Sequence, residues 1–311
     1  MSLLDHEQCA EEPEDVDPDV DDDVDTHDIS PEPQQPGHIH PITNYFAIAR
    51  ALRCRDDGSV PVPLRSFSVG CTAFNLGYDP SIRSITIDEV AVKFGLPDLQ
   101  PAIADFLQHE ATHGHQHIHA IGGPRRAGPT ADLPFDKIQV WFKIRLQETD
   151  FHNTHTIKPA QTLNCAPPSG PWTLGRYDTV IVETTVGYSW PSSRLSGHTV
   201  TQIRLIMRPI GKSGTQWSWQ DRFLTYVQCF DLSNDCDANT QLHLLKRAKR
   251  SNGDRMGDII PLSQLRAPIN LVPCFGVAVD KRLTAHNSME HAAEFWLNEF
   301  WEKSTFFALS A

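Results

Sequence analysis

The sequence predicts an α+β protein with a disordered acidic N-terminal tail, a small helical segment, and a mostly antiparallel β-barrel-like or curled-sheet domain. Three observations carry that expectation. The first 40 residues hold 14 acidic side chains and no Lys or Arg. Apolar residues then recur at helical spacing, with cap signals, up to His113. Beyond residue 134 the period switches to two, and extended segments follow one another through turns without alternating helices, the pattern of an antiparallel sheet rather than a doubly wound one. The expected divisions are a tail over 1–40, a helical segment over 41–124, a linker over 125–134 and a β-rich domain over 135–311.

In the tail, acidic runs (Glu11-Glu12, Asp21-Asp22-Asp23) alternate with prolines, and few apolar groups are present to offset the entropy of ordering. Tyr45–Arg53 has helical spacing at Phe46, Ala49 and Leu52, and Ser66–Leu76 reads as extended. Thr86-Ile87-Asp88-Glu89 has the form of a capping box, in which the hydroxyl and the carboxylate each satisfy a backbone N–H that the helix start leaves open; Gly95 and Pro97 end that helix. Asp98 is placed to cap the next one, whose Leu99, Ala102, Ile103, Phe106 and Leu107 form a single stripe.

The glycines and prolines of 113–134 mark a connection. Ile138, Val140, Phe142, Ile144 and Leu146 then alternate with Gln139, Trp141, Lys143, Arg145 and Gln147, the strongest strand signal in the chain. Further extended segments are expected at 178–183, 200–207, 223–230 and 242–248. Asn252-Gly253 reads as a hairpin turn leading into 256–262. Residues 289–299 read as a helix and 305–309 as a closing strand.

The chain has 27 basic and 39 acidic residues, a net charge of −12. Without the tail, 25 acidic residues face 27 basic ones, so the body lacks the basic excess of a general nucleic-acid binder. No apolar stretch reaches the roughly 18–20 residues of a spanning helix, and the first residues lack the charged and apolar blocks of a secretory signal. Seven scattered cysteines without C-x-x-C fit reduced thiols in a nuclear or cytoplasmic protein.

His109-Glu110-Ala111-Thr112-His113 matches H-E-x-x-H, in which two imidazoles a helical turn apart bind zinc and the Glu activates bound water; His119 stands where a third ligand would fall. Against a protease, residue 116 is Gln where the longer pattern has Gly, Gly114 stops the helix, and the neighbourhood is simply His-rich. The expectation is no cofactor, with zinc at His109, His113 and His119 as the alternative. The unit 86–113 also has the outline of a helix-turn-helix, but it offers Asp98, Asp105 and Glu110 where phosphates would need cations.

Lys246, Arg247, Lys249 and Arg250 form a dense basic run suited to nuclear import or phosphate contact, or else to the solvent face of a hairpin. Trp172, Tyr177, Tyr188, Trp190, Trp217 and Trp219 could form a cage for a methylated or basic peptide, though such residues more often pack as core. Phosphate-loop, dinucleotide and nucleophile-elbow patterns are lacking, so no catalytic residue is assigned.

Five runs together resemble a known family: Pro134–Gln147 (P-F-D-K-I-Q-V-W-F-K-I-R-L-Q); Ala166-Pro167-Pro168 with Gly175–Val182; Gln202–Met207; Leu224–Gln228; and Phe295–Asn298. They are similar to the C-terminal domain of unknown function in proteins of basidiomycete Plavaka-type DNA transposons. The resemblance spans roughly 41–310. It implies a nuclear, transposon-derived fungal protein, here a module without the transposase core and its carboxylate triad, and it brings no catalytic residues. Gly175–Phe230 also resembles, in strand patterning, bromo-adjacent-homology chromatin readers. The function expected is a non-enzymatic nuclear interaction module for a protein or chromatin partner, with DNA second and no membrane; the alternative is a zinc metalloprotease-like hydrolase built on His109, Glu110 and His113.

Overall fold

The segment expected to be helical contains both helices and strands. A computed structural model describes residues 42–53, 64–115, 117–210, 222–275, 278 and 281–309. The expectation for 1–40 lies outside the described residues, as do Trp217 and Trp219. Helix α1 (Tyr45–Arg53) buries Tyr45 and Ala49 on one face. Strands β1 (Ser66–Val69) and β2 (Thr72–Asn75) form a hairpin. Its turn needs Gly70, whose φ of 58° lies in the left-handed region that a Cβ disfavours. β3 (Ile82–Thr86) leads directly into α2 (Ile87–Phe94).

The capping box forms as expected. Glu89 N–H donates to Thr86 Oγ1 at 3.3 Å, and Thr86 N–H donates to Glu89 Oε2 at 3.0 Å. Gly95, in the left-handed conformation, closes α2 by donating to the Ala91 and Val92 carbonyls. The stripe of α3 (Leu99–His113) buries Leu99, Ala102, Ile103 and Phe106. Asp98 precedes α3, but its side chain makes no cap bond. It receives hydrogen bonds from Arg125 (2.8 Å) and the Tyr226 hydroxyl instead.

The ten-residue alternating segment is two strands, β4 (Lys137–Trp141) and β5 (Lys143–Glu148), broken at Phe142. Phe142 N–H donates to Ser81 Oγ at 3.0 Å, and its carbonyl accepts from Cys165 N–H at 2.7 Å. Those bonds take the chain out of one sheet and into another; Ile138, Val140, Ile144 and Leu146 are buried as the alternation requires, but Trp141 and Gln147 are buried as well. Next come β6 (Gln161–Ala166), β7 (Arg176–Tyr177), β8 (Thr179–Glu183), β9 (His198–Ile210), β10 (Leu224–Cys236), β11 (His243–Arg247), β12 (Gly257–Pro261), β13 (Leu265–Pro268) and β14 (Leu271–Pro273). The chain ends with α4 (Ser288–His291), β15 (Glu294–Leu297) and α5 (Lys303–Leu309).

The described strands form two antiparallel sheets. One runs β1-β2-β5-β6-β7, and the other runs β13-β8-β9-β10-β11-β15-β14, with β4 on β9, β3 on β4, and β12 on β10. Both paths have open ends, so the curled-sheet form of the α+β expectation holds and the barrel form does not. A shared core of α2, α3 and both sheets contains Phe74, Val90, Phe94, Ile103, Ile138, Ile144, Leu205 and Tyr226. A second cluster, around Phe230, Leu245, Phe295 and Leu297, closes the far end.

Asn252-Gly253 does make a tight turn, bracketed by the Lys249–Arg255 bridge. Its two flanking strands nevertheless pair with different halves of the long β10, β12 against 224–228 and β11 against 230–236. Of the helix expected over 289–299 only the start forms, as Ser288–His291, and the C-terminal expectations are otherwise exchanged. Residues 294–297 form a strand because Phe295 and Leu297 alternate inward, and 303–309 form a helix because Thr305, Ala308 and Leu309 share a helical face.

Candidate functional site

The i, i+4 spacing on α3 puts His109 and His113 on one helix face, with ring centroids 4.4 Å apart. The chain turns at Gly114 and returns two more imidazoles. His117 lies 4.9 Å from His109 and 4.8 Å from His113, and His119 lies 5.1 Å from His109. The three sequence-selected histidines therefore come together, and His117, which the H-E-x-x-H pattern does not include, joins them. Burial and the neighbouring imidazoles hold the His109 pKa below its usual value, so its ring favours the neutral form. Their donor atoms are not arranged as a ligand set, and no group of three or more His, Cys, Asp or Glu among the described residues could hold a metal ion.

Glu110 is the residue an H-E-x-x-H hydrolase needs as its base. One position along the helix turns it roughly 100° from His109. It is buried against Arg222, His115 (2.9 Å) and His119 (3.5 Å). Burial alone would raise its pKa, but the adjoining His119 ring and the Arg222 guanidinium more than offset this and lower it to about 2. The geometry makes Glu110 an anchor for the loop after α3. A cavity of about 290 Å³ beside the histidines is lined also by Asp105, Arg125 and Asp258.

Arg125 falls in the segment expected to be a linker, yet it binds Asp98 (2.8 Å), Asp258 (3.0 Å) and Asp105 (3.4 Å). The Arg126 and Ala127 amides donate to Asp105. The acidic residues that spoiled the helix-turn-helix reading are thus consumed inside the fold.

The basic run does not form a continuous patch. Lys246 is exposed and pairs with Glu294 at 2.7 Å, and Lys249 is exposed. Arg250 turns inward to Asp98 (3.7 Å) and Asp258 (3.5 Å). Arg247 turns inward in another direction, donating to Gln202 Oε1 at 3.0 Å and to the Met289 carbonyl. The aromatic cage is likewise dispersed: Tyr177 packs in the main core, Trp190 in the second cluster, and Tyr188 is exposed.

Around Arg247 lies a second charged cluster that the sequence motifs did not single out. Gln202 and Arg204 share one face of β9, Gln228 lies opposite Gln202 on β10, and Arg247 projects from β11. Glu290 on α4 closes over them. Its carboxylate meets Arg204 (2.8 Å), Arg255 (2.6 Å) and Arg247 (3.9 Å) and accepts from Gln202 at 3.0 Å. Burial pushes the Glu290 pKa up, but the three guanidiniums more than offset this and hold it at about 2. The Arg204 guanidinium also lies 3.6 Å from the Tyr177 ring centre. A signal was present in the sequence: Gln202 and Arg204 interrupt the apolar run of 200–207, which marks a polar layer on an otherwise buried strand.

The site and sheets define an α+β module whose polar chemistry is concentrated in buried ion clusters; no helix among the described residues is long and apolar enough to cross a membrane. The chain belongs to the family described as Domain of unknown function (DUF6830), whose model matches residues 46–246, more than half of its length. Neither the curated proteins nor the solved structures include a match.

Proposed function

We propose that this chain is a non-enzymatic interaction module of a nuclear, transposon-derived fungal protein, with a protein or chromatin partner as its ligand and DNA as the second choice. The origin and compartment rest on the resemblance to the Plavaka-type domain. The partner reading rests on one observation: an exposed aromatic surface at the C-terminal end. Phe300 is 61% exposed and Trp301 37%, while Phe307 is 36% exposed and stacks on Phe151. This surface lies beside edge strand β14, whose Val272 is exposed, and Trp301 lines a cavity of about 320 Å³ with Leu271, Pro273 and Met289. Apolar surface of this kind gains free energy when a partner covers it, and an edge strand offers free backbone groups for pairing.

A histone-peptide and duplex-DNA binding screen tests the reading, with Phe300→Ser/Phe307→Ser as the paired variant. Saturable binding to histone peptides or nucleosomes, lost in the variant while its circular dichroism is unchanged, supports it. Equal binding by both proteins contradicts the aromatic surface, and a reporter fusion confined to the cytoplasm contradicts the compartment. The rival zinc hydrolase at His109, Glu110 and His113 is favoured only by the proximity of the imidazoles. Stoichiometric zinc in the purified protein, with peptide cleavage lost in His109→Ala, would establish it.

A further inference from the structure

The Arg204–Arg247–Arg255 cluster has a charge surplus. Three guanidiniums face one carboxylate, Glu290, giving a local excess of two positive charges in a region where Arg204, Arg247 and Glu290 are nearly closed to solvent. Buried cations are costly without matching anions. The strain registers on Arg247, whose pKa burial and the neighbouring Arg255 lower to about 9. Arg204 is only 5% exposed, and its Nε is buried without a hydrogen-bond partner among the described residues. Of these groups Arg204, Arg255 and Glu290 line a cleft of about 390 Å³ together with Gln228, Lys93 and His291, while Arg247 is not part of its lining.

We propose that this cleft binds a phosphomonoester group, its oxygens taken by Arg204 and Arg255, with Gln228 as a further donor and Lys93 at the mouth. Three features select that ligand class. A phosphomonoester carries about −1.5 to −2 charge near neutral pH, which matches the surplus. Planar guanidiniums pair with its oxygens in bidentate fashion. A terminal phosphoryl group can reach a recessed arginine, whereas the diester backbone of a nucleic acid needs a track of exposed cations, and the body of 41–311 has a net charge of only +2. Glu290 holds the arginines in place and offsets one of their three charges, which leaves two for the ligand. The cleft stands or falls separately from the partner reading, since it lies apart from the aromatic surface in composition and chemistry.

Calorimetric titration of the full chain tests the proposal, using inorganic phosphate, a neutral phosphoserine peptide and its unphosphorylated twin. Saturable phosphate binding is expected, roughly tenfold weaker in Arg255→Gln and about threefold weaker in Lys93→Glu, an exposed site where folding is not at risk. A phosphopeptide preferred over inorganic phosphate identifies a protein-borne source; equal affinity identifies a small phosphate ester, and both support the cleft. Absence of saturable phosphate binding overturns the proposal, as does binding unchanged in both variants. So does duplex DNA that displaces phosphate and binds more tightly. Phosphate binding without any histone or nucleosome partner would leave the cleft standing and remove the partner reading.

Discussion

Two of the largely buried ion clusters among the described residues are built to opposite charge balances. In one, Arg125 and Arg250 serve Asp98, Asp105 and Asp258, with the Tyr226 hydroxyl and the Gly122 amide donating as well. Every carboxylate there is engaged, and the cluster ties the 122–127 segment and the 250 turn to the start of α3. In the other, three arginines share Glu290. In the first arrangement carboxylates outnumber guanidiniums and the cluster does structural work, although the Nε atoms of Arg125 and Arg250 are buried without a hydrogen-bond partner among the described residues; the second retains positive charge beside a cleft. The basic run feeds both, because Arg247 and Arg250 leave it on different sides, so a feature that reads as one surface patch is divided between two interiors.

The largest effect is expected from Arg125→Ala, which removes the one guanidinium shared by three half-buried carboxylates. Chemical denaturation should show a loss of about 3–5 kcal/mol. A loss below about 1 kcal/mol would mean that the carboxylates find water and that the network is not structural. Next comes Glu290→Gln, which leaves three guanidiniums without an anion. The expected loss in phosphate-free buffer is about 2–3 kcal/mol, partly recovered on adding phosphate. No recovery would remove the distinction between the clusters. The same variant carries a pH signature. The folded pKa of Glu290, about 2, lies below its ordinary 4.5, so its stabilisation is present above 4.5 and is lost as pH falls toward 2. Glu290→Gln should flatten that part of the acid-denaturation curve.

Away from both clusters, Thr86→Ala removes half of the capping box and should cost about 1 kcal/mol. The smallest change is expected at His109, which is part-exposed, held toward its neutral form and uncommitted to a ligand set. His109→Ala should shift stability by less than about 0.5 kcal/mol, and metal analysis of the wild-type protein by mass spectrometry gives the companion readout. A large zinc-dependent loss of stability would turn the imidazole cluster into a metal centre.

Local signals were legible in the sequence where one short stretch determines the outcome. Thr86 and Glu89 complete their cap within four residues, and Tyr45–Arg53 and Leu99–Phe106 form helices whose faces the spacing already defines. The break at Phe142 depends on Ser81 and Cys165, which no window around 138–147 contains. Residues 289–299 read as a helix, but pairing of 294–297 with β11 and β14 enforces a strand there. The candidate site divided along the same line. The spacing of His109 and His113 foretold their proximity, while the fate of Glu110 depended on Arg222, more than a hundred residues away. The arginine cluster assembles from β9, β11, α4 and the 255 position, so its only local trace is a pair of polar residues in an apolar strand.

Anomalous diffraction from crystals soaked in tungstate, a heavy tetrahedral oxyanion, tests the central claim most directly. The account predicts a principal peak in the cleft within reach of Arg204 and Arg255, absent in Arg255→Gln. A principal peak at Arg125 and Arg250, or no ordered peak beside Glu290, would contradict it.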